Sequence, residues 1–219
     1  GKLLITGGAG FIGSTLAKIA QKQGWEVRIF DNFSTGLKST ADELMNLGIE
    51  VVTGDIRDEG LLYSAVSGCD AVAHLAAQVS VPLSVANPQE TMSINVDGTA
   101  NVLEACFSHR IKRMVMASSA AVYGEAESLP LKEEDAGQVL SPYAESKWKN
   151  EAQILEARTK GLQATALRFF NAIGQLANDH QNARLARIHF RHLLQENKQV
   201  AEPECCAKII LNVTDAIAP

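Results

Sequence analysis

The chain has 219 residues, of which 46% are hydrophobic and 21% charged, and a formal net charge of −5 at pH 7. That length holds one full-sized domain with a large core and part of a second, the composition is that of an ordinary globular protein, and the acidic balance gives no electrostatic reason to expect nucleic acid or an anionic membrane as partner. No apolar run approaches the ~18 residues of a membrane span and the first residues are not built like a signal peptide, so the cytoplasm is the expected compartment.

From the N-terminus, Leu3-Leu4-Ile5 reads as a strand, followed by a helix from about Phe11. Val27 to Phe30 reads as a second strand before a loop and a short helix. Further apolar runs at Ile49 to Val52, Ala71 to His74, Met114 to Met116 and Ala164 to Leu167 alternate with segments of helical periodicity. Six strands with helical crossovers predict an α/β fold: a doubly wound parallel sheet of the Rossmann type, covered on both faces. After Gly174 the chain turns polar, with Arg184, Arg187 and Arg191 on roughly one helical face. A solvated surface explains that face more simply than a phosphate site does. Lys208 to Val213 reads as one more strand. The character of the chain thus changes at about residue 174, which divides it into 1–174 and 175–219.

Cys69, Cys106, Cys205 and Cys206 lack CxxC or zinc-ligand spacing and read as buried or inert thiols. His180, His189 and His192 lie in polar surroundings without partner cysteines, so no metal is expected.

Directly after the first strand comes Thr6-Gly-Gly-Ala-Gly-Phe-Ile-Gly13. Gly7, Gly10 and Gly13 permit a tight turn and let backbone amides approach a pyrophosphate, whose charge the following helix N-terminus stabilises. The second strand ends at Asp31, eighteen residues beyond Gly13. A carboxylate there accepts hydrogen bonds from adenosine ribose hydroxyls and repels a 2′-phosphate, which favours NAD over NADP. The plainer reading is that Asp31 starts the Asp31 to Gly36 turn. Asp55 and Ile56, at the end of the third strand, are placed to reach adenine.

In Ser141-Pro-Tyr-Ala-Glu-Ser-Lys147, Tyr143 and Lys147 lie four apart at the start of a long helical segment and share one face. A phenol of pKa about 10 is a poor base at neutral pH, but a nearby ammonium and a positively charged nicotinamide both favour the phenolate. Tyr143 then exchanges a proton with a substrate hydroxyl while hydrogen passes to the cofactor, and Lys147 bonds the nicotinamide ribose.

These stretches, with His74-Leu-Ala-Ala77, Asn95-Val-Asp-Gly-Thr99, Asn101 to Ala105, Ser118 to Gly124 and Arg168-Phe-Phe-Asn171, resemble the extended short-chain dehydrogenase/reductases of the nucleotide-sugar epimerase/dehydratase family. The resemblance runs in the family's order through about residue 174, and it implies that 1–174 is an NAD-binding Rossmann domain carrying the catalytic residues and 175–219 a small, incomplete substrate-binding segment. It implies NAD as cofactor, contacted by the glycine loop including Phe11 and Ile12, and by Asp31 with Asn32, Phe33, Ser34, Thr35 and Gly36. It extends that site to Asp55, Ile56, Leu75, Ala76, Ala77, Val79, Tyr143, Lys147 and Phe170. Ser119 is implied to bond the reacting sugar hydroxyl beside Tyr143, Asn171 to contact the sugar nucleotide's diphosphate, and Asn95 to tie a helix to the sheet.

Family members that eliminate water or decarboxylate carry acidic residues at one or both positions of Ala120 and Ala121, and a methyl group transfers no proton. Ser119-Ala-Ala-Val-Tyr123 instead resembles the epimerases that invert C4 of a UDP-hexose through a transient 4-keto sugar. Val79 to Pro88 is similar to a segment near the sugar in those enzymes, and equally reads as a loop and helix cap. Two alternatives stand beside this expectation: an NAD-binding module without turnover, because the sugar lobe is incomplete, and another nucleotide-sugar oxidoreductase or dehydratase. A free-standing NAD-dependent alcohol dehydrogenase is a third. Similar proteins commonly form homodimers through two helices, for which the segments near Asn87 to His109 and Ser141 to Lys160 are the candidates, although core packing explains their apolar faces equally.

Overall fold

Along the first strand, β1 (Lys2–Thr6), side chains alternate between two apolar surroundings, as strand geometry requires. Leu4 joins a core with Phe30, Val72 and Met114, whereas Leu3 and Ile5 join another with Ile29, Ala73 and Val115. A strand buried on both faces must be interior to a covered sheet. The computed structural model, which describes residues 1–125 and 130–170, shows that sheet to be parallel and six-stranded, in the order β3-β2-β1-β4-β5-β6. The remaining strands are β2 (Glu26–Asp31), β3 (Glu50–Thr53), β4 (Ala71–His74), β5 (Arg113–Ser119) and β6 (Gln163–Phe169).

Helices α1 (Phe11–Lys22) and α2 (Lys38–Asn46) cover one face through Leu16, Ala17, Ala20 and Leu44. Helices α3 (Glu59–Val66), α6 (Gly98–Ser108) and α7 (Pro142–Thr159) cover the other through Leu62, Val66, Val102, Cys106 and Ile154. Between β4 and α6 lie two short helices, α4 (Val81–Ala86) and α5 (Pro88–Met92). Their starts are set by local chemistry: Ser80 accepts from the Leu83 amide, and Asn87, followed by Pro88, accepts from Glu90. Strand order reverses between β1 and β4, so the loops after these strands diverge and leave a crevice at the carboxyl ends.

Two sequence expectations change. The predicted strand Met114 to Met116 continues to Ser119, pairing with β6 as far as Phe169, because side-chain hydrogen bonds satisfy the two serines at its end. The predicted helix from Asn87 to His109 is interrupted by a π-helical segment, Ser93–Asp97. There the Asn95 carbonyl accepts both Thr99 Oγ1 (2.6 Å) and Asn150 Nδ2 (2.8 Å), so side chains occupy the place of an ordinary backbone bond.

Burial pushes both described thiols up, that of Cys106 to about 12, consistent with inert cysteines. No helix among the described residues is long and apolar enough to cross a membrane. The expectations for Asn171, for segment 175–219 with its arginine face and final strand, and for Cys205, Cys206, His180, His189 and His192 lie outside the described residues.

Candidate active site

The glycine loop connects β1 to α1, and its geometry depends on missing side chains. Gly7 has φ +70°, and a Cβ on it would lie 2.7 Å from the Ala76 amide nitrogen. A Cβ on Gly13 would collide with the Gly7 carbonyl. Loop, α1 and the Leu75 to Ala77 segment therefore approach as only glycine allows. Helix α1 has no side-chain cap and no acidic residue in its first turn. Among the described residues, a Cβ on Gly10 would have only the Gly7 carbonyl within 4 Å, at 3.2 Å, so nothing else described crowds this turn. An uncapped helix N-terminus at such a turn suits an anion.

Asp31 serves the turn that its plainer reading assigned to it. One carboxylate oxygen accepts the Phe33 amide (2.8 Å), which holds Phe33 at φ +58°, and the other accepts the Ala9 amide (2.9 Å). A carboxylate offers about four acceptor sites, so each oxygen keeps one for ribose hydroxyls. Asn32 accepts the Ser34 amide and donates to Asp55, while Ser34 and Thr35 are exposed and Gly36 faces the Asp31 carboxylate.

Asp55 and Ile56 lie just beyond the end of β3 rather than on it. The Asp55 carboxylate is held by the Arg57 amide, Arg57 Nε and Nη2, and Asn32 Nδ2, all within 3.0 Å, and the Arg57 bonds keep it well below the usual carboxylate range. An adenine amino group would share or displace one of these donors. The Ile56 side chain is buried against Gly98, which leaves only its main chain for a ligand.

His74 joins the two sides of the crevice. Thr99 gives its hydroxyl proton to the Asn95 carbonyl, so it accepts from His74 Nε2 (2.9 Å), and Nδ1 in turn accepts from Thr6 Oγ1 (2.7 Å). Burial, with a smaller effect of the Lys147 charge, lowers the imidazole pKa to about 3 and keeps it neutral. Thr6 also accepts the Ala76 amide, fixing the Leu75 to Ala77 segment at half-burial, while Val79 is exposed. Asn95 differs from its expected role. Its amide bonds both main-chain groups of Gln78 and donates to Ser146, so it ties the π segment to this loop and to α7 rather than to the sheet.

At the end of β5, Ser119 accepts the Ala121 amide (3.1 Å), which starts the 3-10 turn Ala120–Tyr123, and its hydroxyl is near enough to the Tyr143 phenol to favour the phenolate. Tyr143 and Lys147 are both buried. Lys147 donates to the Ala117 carbonyl (2.9 Å), and burial lowers its pKa to about 8, so it is largely charged at neutral pH. The Tyr143 pKa is raised: burial outweighs the effect of Ser119, which lowers it. The sequence expectation of a favoured phenolate is thus corrected for the protein alone, since desolvation penalises the charged form.

Several contributing residues had no role assigned from sequence. Glu151, one turn beyond Lys147, accepts Ser118 Oγ (2.5 Å) and Arg168 Nε and Nη2 (2.9 and 2.8 Å). Arg168 also donates to the Tyr123 hydroxyl (3.1 Å) and the Glu133 carbonyl (2.7 Å), with its guanidinium 4.9 Å from the Tyr123 ring centre. Phe170 is exposed and stacks on Tyr123 at 6.2 Å. The spacing Lys147 to Glu151 carried a signal, but Ser118 and Arg168 meet it only through the fold.

A model of the NAD dependent epimerase/dehydratase family matches residues 3–205. A UDP-glucose 4-epimerase of Streptomyces lividans is 32% identical across 98% of this chain and 69% of its own length. Another from Corynebacterium glutamicum is 35% identical across 83% of this chain and 54% of its own. A crystal structure of UDP-glucose 4-epimerase from Brucella ovis in complex with NAD superposes with a TM-score of 0.75 at 36% identity, covering 80% of this chain and 53% of that one. The chain thus spans between about half and just over two thirds of these relatives.

Proposed function

We infer the activity from one premise: this chain belongs to the NAD dependent epimerase/dehydratase family. The proposed reaction is inversion at C4 of a nucleotide sugar, a UDP-hexose, through a 4-keto intermediate. The relatives compared above are UDP-glucose 4-epimerases, one of them in complex with NAD. The observation that carries the reading is the buried Tyr143 phenol near Ser119, on one helix with buried Lys147 that donates to the Ala117 carbonyl, next to two alanines that offer no acid for elimination.

NAD fits the residues present: the turn at Gly10, uncrowded among the described residues, the uncapped start of α1 and the remaining acceptor sites of Asp31 match a dinucleotide's pyrophosphate and ribose. When bound, this cofactor takes up two electrons and a hydrogen from the sugar carbon and returns them to the opposite face. Tyr143 accepts the proton of the sugar O4 and later gives it back. Ser119, near the phenol, orients that hydroxyl and passes the proton. The Lys147 ammonium favours the phenolate and has donors left for the nicotinamide ribose. Asn171 and segment 175–219 are assigned to the sugar nucleotide. Exposed Trp148 and Leu155 on α7 support a homodimer through α6 and α7.

The test is incubation of the purified chain and NAD with UDP-glucose, UDP-galactose and their N-acetylamino counterparts, followed by chromatography of the sugars. Interconversion lost on Tyr143→Phe is the expected result; no interconversion of any of them overturns the reading.

A further inference from the structure

Helix α4 is short and its neighbouring apolar residues Val81, Leu83 and Val85 are exposed, yet Ser84 among them is completely buried. Its hydroxyl proton goes to the Val81 carbonyl (2.7 Å), so the oxygen's lone pairs face outward from α4, and one accepts the amide of Tyr143 (3.1 Å). We propose that Ser84 is a positioning residue for Tyr143, holding the main chain from which the phenol reaches Ser119. This rests on the reading that Tyr143 exchanges the proton.

The first turn of α7 shows why an outside acceptor is needed. Pro142 has no amide hydrogen, Ser141 Oγ accepts from Ala144 (3.1 Å), and the Ser141 carbonyl accepts from Glu145 (2.9 Å). The Tyr143 amide is the one that this cap does not reach. Its carbonyl is held as well, accepting Ser146 Oγ (2.7 Å), which itself accepts Asn95 Nδ2 (2.9 Å). Both main-chain polar groups of the tyrosine are thus bonded to buried side chains. The phenol has only two side-chain torsions, each with few staggered wells, so a fixed main chain limits its hydroxyl to a few positions and a shifted one moves them all. Ser84 comes from 59 residues away, in the segment that the sequence linked to the sugar.

Ser84→Ala and Ser84→Thr in the full chain test this. For Ser84→Ala, kcat on a UDP-hexose is expected to fall by about 10- to 100-fold with KM changed less than about two-fold, the pattern of a misplaced catalytic group. Ser84→Thr keeps the oxygen and is expected to recover most of kcat. Ultraviolet pH titration gives a reading that needs no turnover: the difference from Tyr143→Phe isolates one of the three tyrosines. In Ser84→Ala its midpoint is expected to move up as the phenol shifts from Ser119, while Lys147, the charged neighbour one turn on, is unchanged. A Ser84→Ala protein with the parent's kcat and Tyr143 midpoint overturns the proposal, whatever its melting temperature and whether or not the threonine variant folds. If the parent turns over no sugar, the activity reading falls and the titration alone decides the role of Ser84.

Discussion

Helix α1 begins at Gly10 without a side-chain cap, whereas α7 begins at Ser141 with its first amides bonded to Ser141 and Ser84. Both helices start at the carboxyl edge of one sheet, yet they present opposite surfaces. The start of α1 offers main-chain dipole and, among the described residues, an uncrowded turn, the chemistry for a diffuse anion such as a pyrophosphate. The start of α7 has its dipole satisfied internally and presents a buried phenol and ammonium instead. A side chain that moves a proton needs a rigid support more than it needs an open helix end, and the two termini divide these tasks.

The sharpest way to break the contrast is to fill the open end. Gly13→Val drives a branched side chain into the Gly7 carbonyl and to within about 3 Å of the Gly8 Cα, so loss of NAD affinity by at least 100-fold is expected in calorimetry, about 3 kcal/mol. His74, which links the two ends through Thr6 on one side and through Thr99, itself bonded to the Asn95 carbonyl, on the other, makes their union pH-sensitive. Its folded pKa of about 3 lies below the unfolded value near 6.5, so the unfolded chain binds more protons between these limits. The stability due to neutral His74 is present above the upper limit. It is lost at about 1.4 kcal/mol per pH unit as pH falls toward the lower one. Urea midpoints at neutral and acid pH should differ less in His74→Asn than in the parent.

Smaller effects sharpen the comparison. Removing the cap with Ser141→Ala should cost about 1 kcal/mol in chemical denaturation and leave NAD affinity unchanged. Supplying one with Gly10→Ser should stabilise the unliganded chain by about 0.3 kcal/mol but weaken NAD several-fold, because the new hydroxyl competes for the amides of the bound anion. A tighter NAD complex in that variant would contradict the assignment of α1.

The start of α1 was legible in the sequence because its logic is local: strand, glycines at 7, 10 and 13, helix, and an acid at the end of the next strand. Tyr143 and Lys147 were legible for the same reason, as a helical repeat of four. Their support was not. Ser84 meets Tyr143, and Ser118 and Arg168 meet Glu151, across separations of 59, 33 and 17 residues that no periodicity reveals. The raised pKa of Tyr143 in the protein alone was not legible, because burial, the larger cause, belongs to the packed chain and not to the tyrosine's neighbours in sequence. Asp55 looked free for adenine because Arg57, two residues on, was not weighed as its partner.

The π segment Ser93–Asp97 amounts to one residue more than an α-helix of the same height would use. Deleting a single residue there would restore the ordinary repeat and turn Asn95 by about 100° relative to α6. Asn95 would then leave Gln78 and Ser146, although every apolar contact of α6 with the sheet stayed available. What this stretch must preserve is therefore its length as much as its letters: a substitution at Ser93, whose side chain makes none of the Asn95 bonds, should keep the crosslink, and deletion of one residue should not.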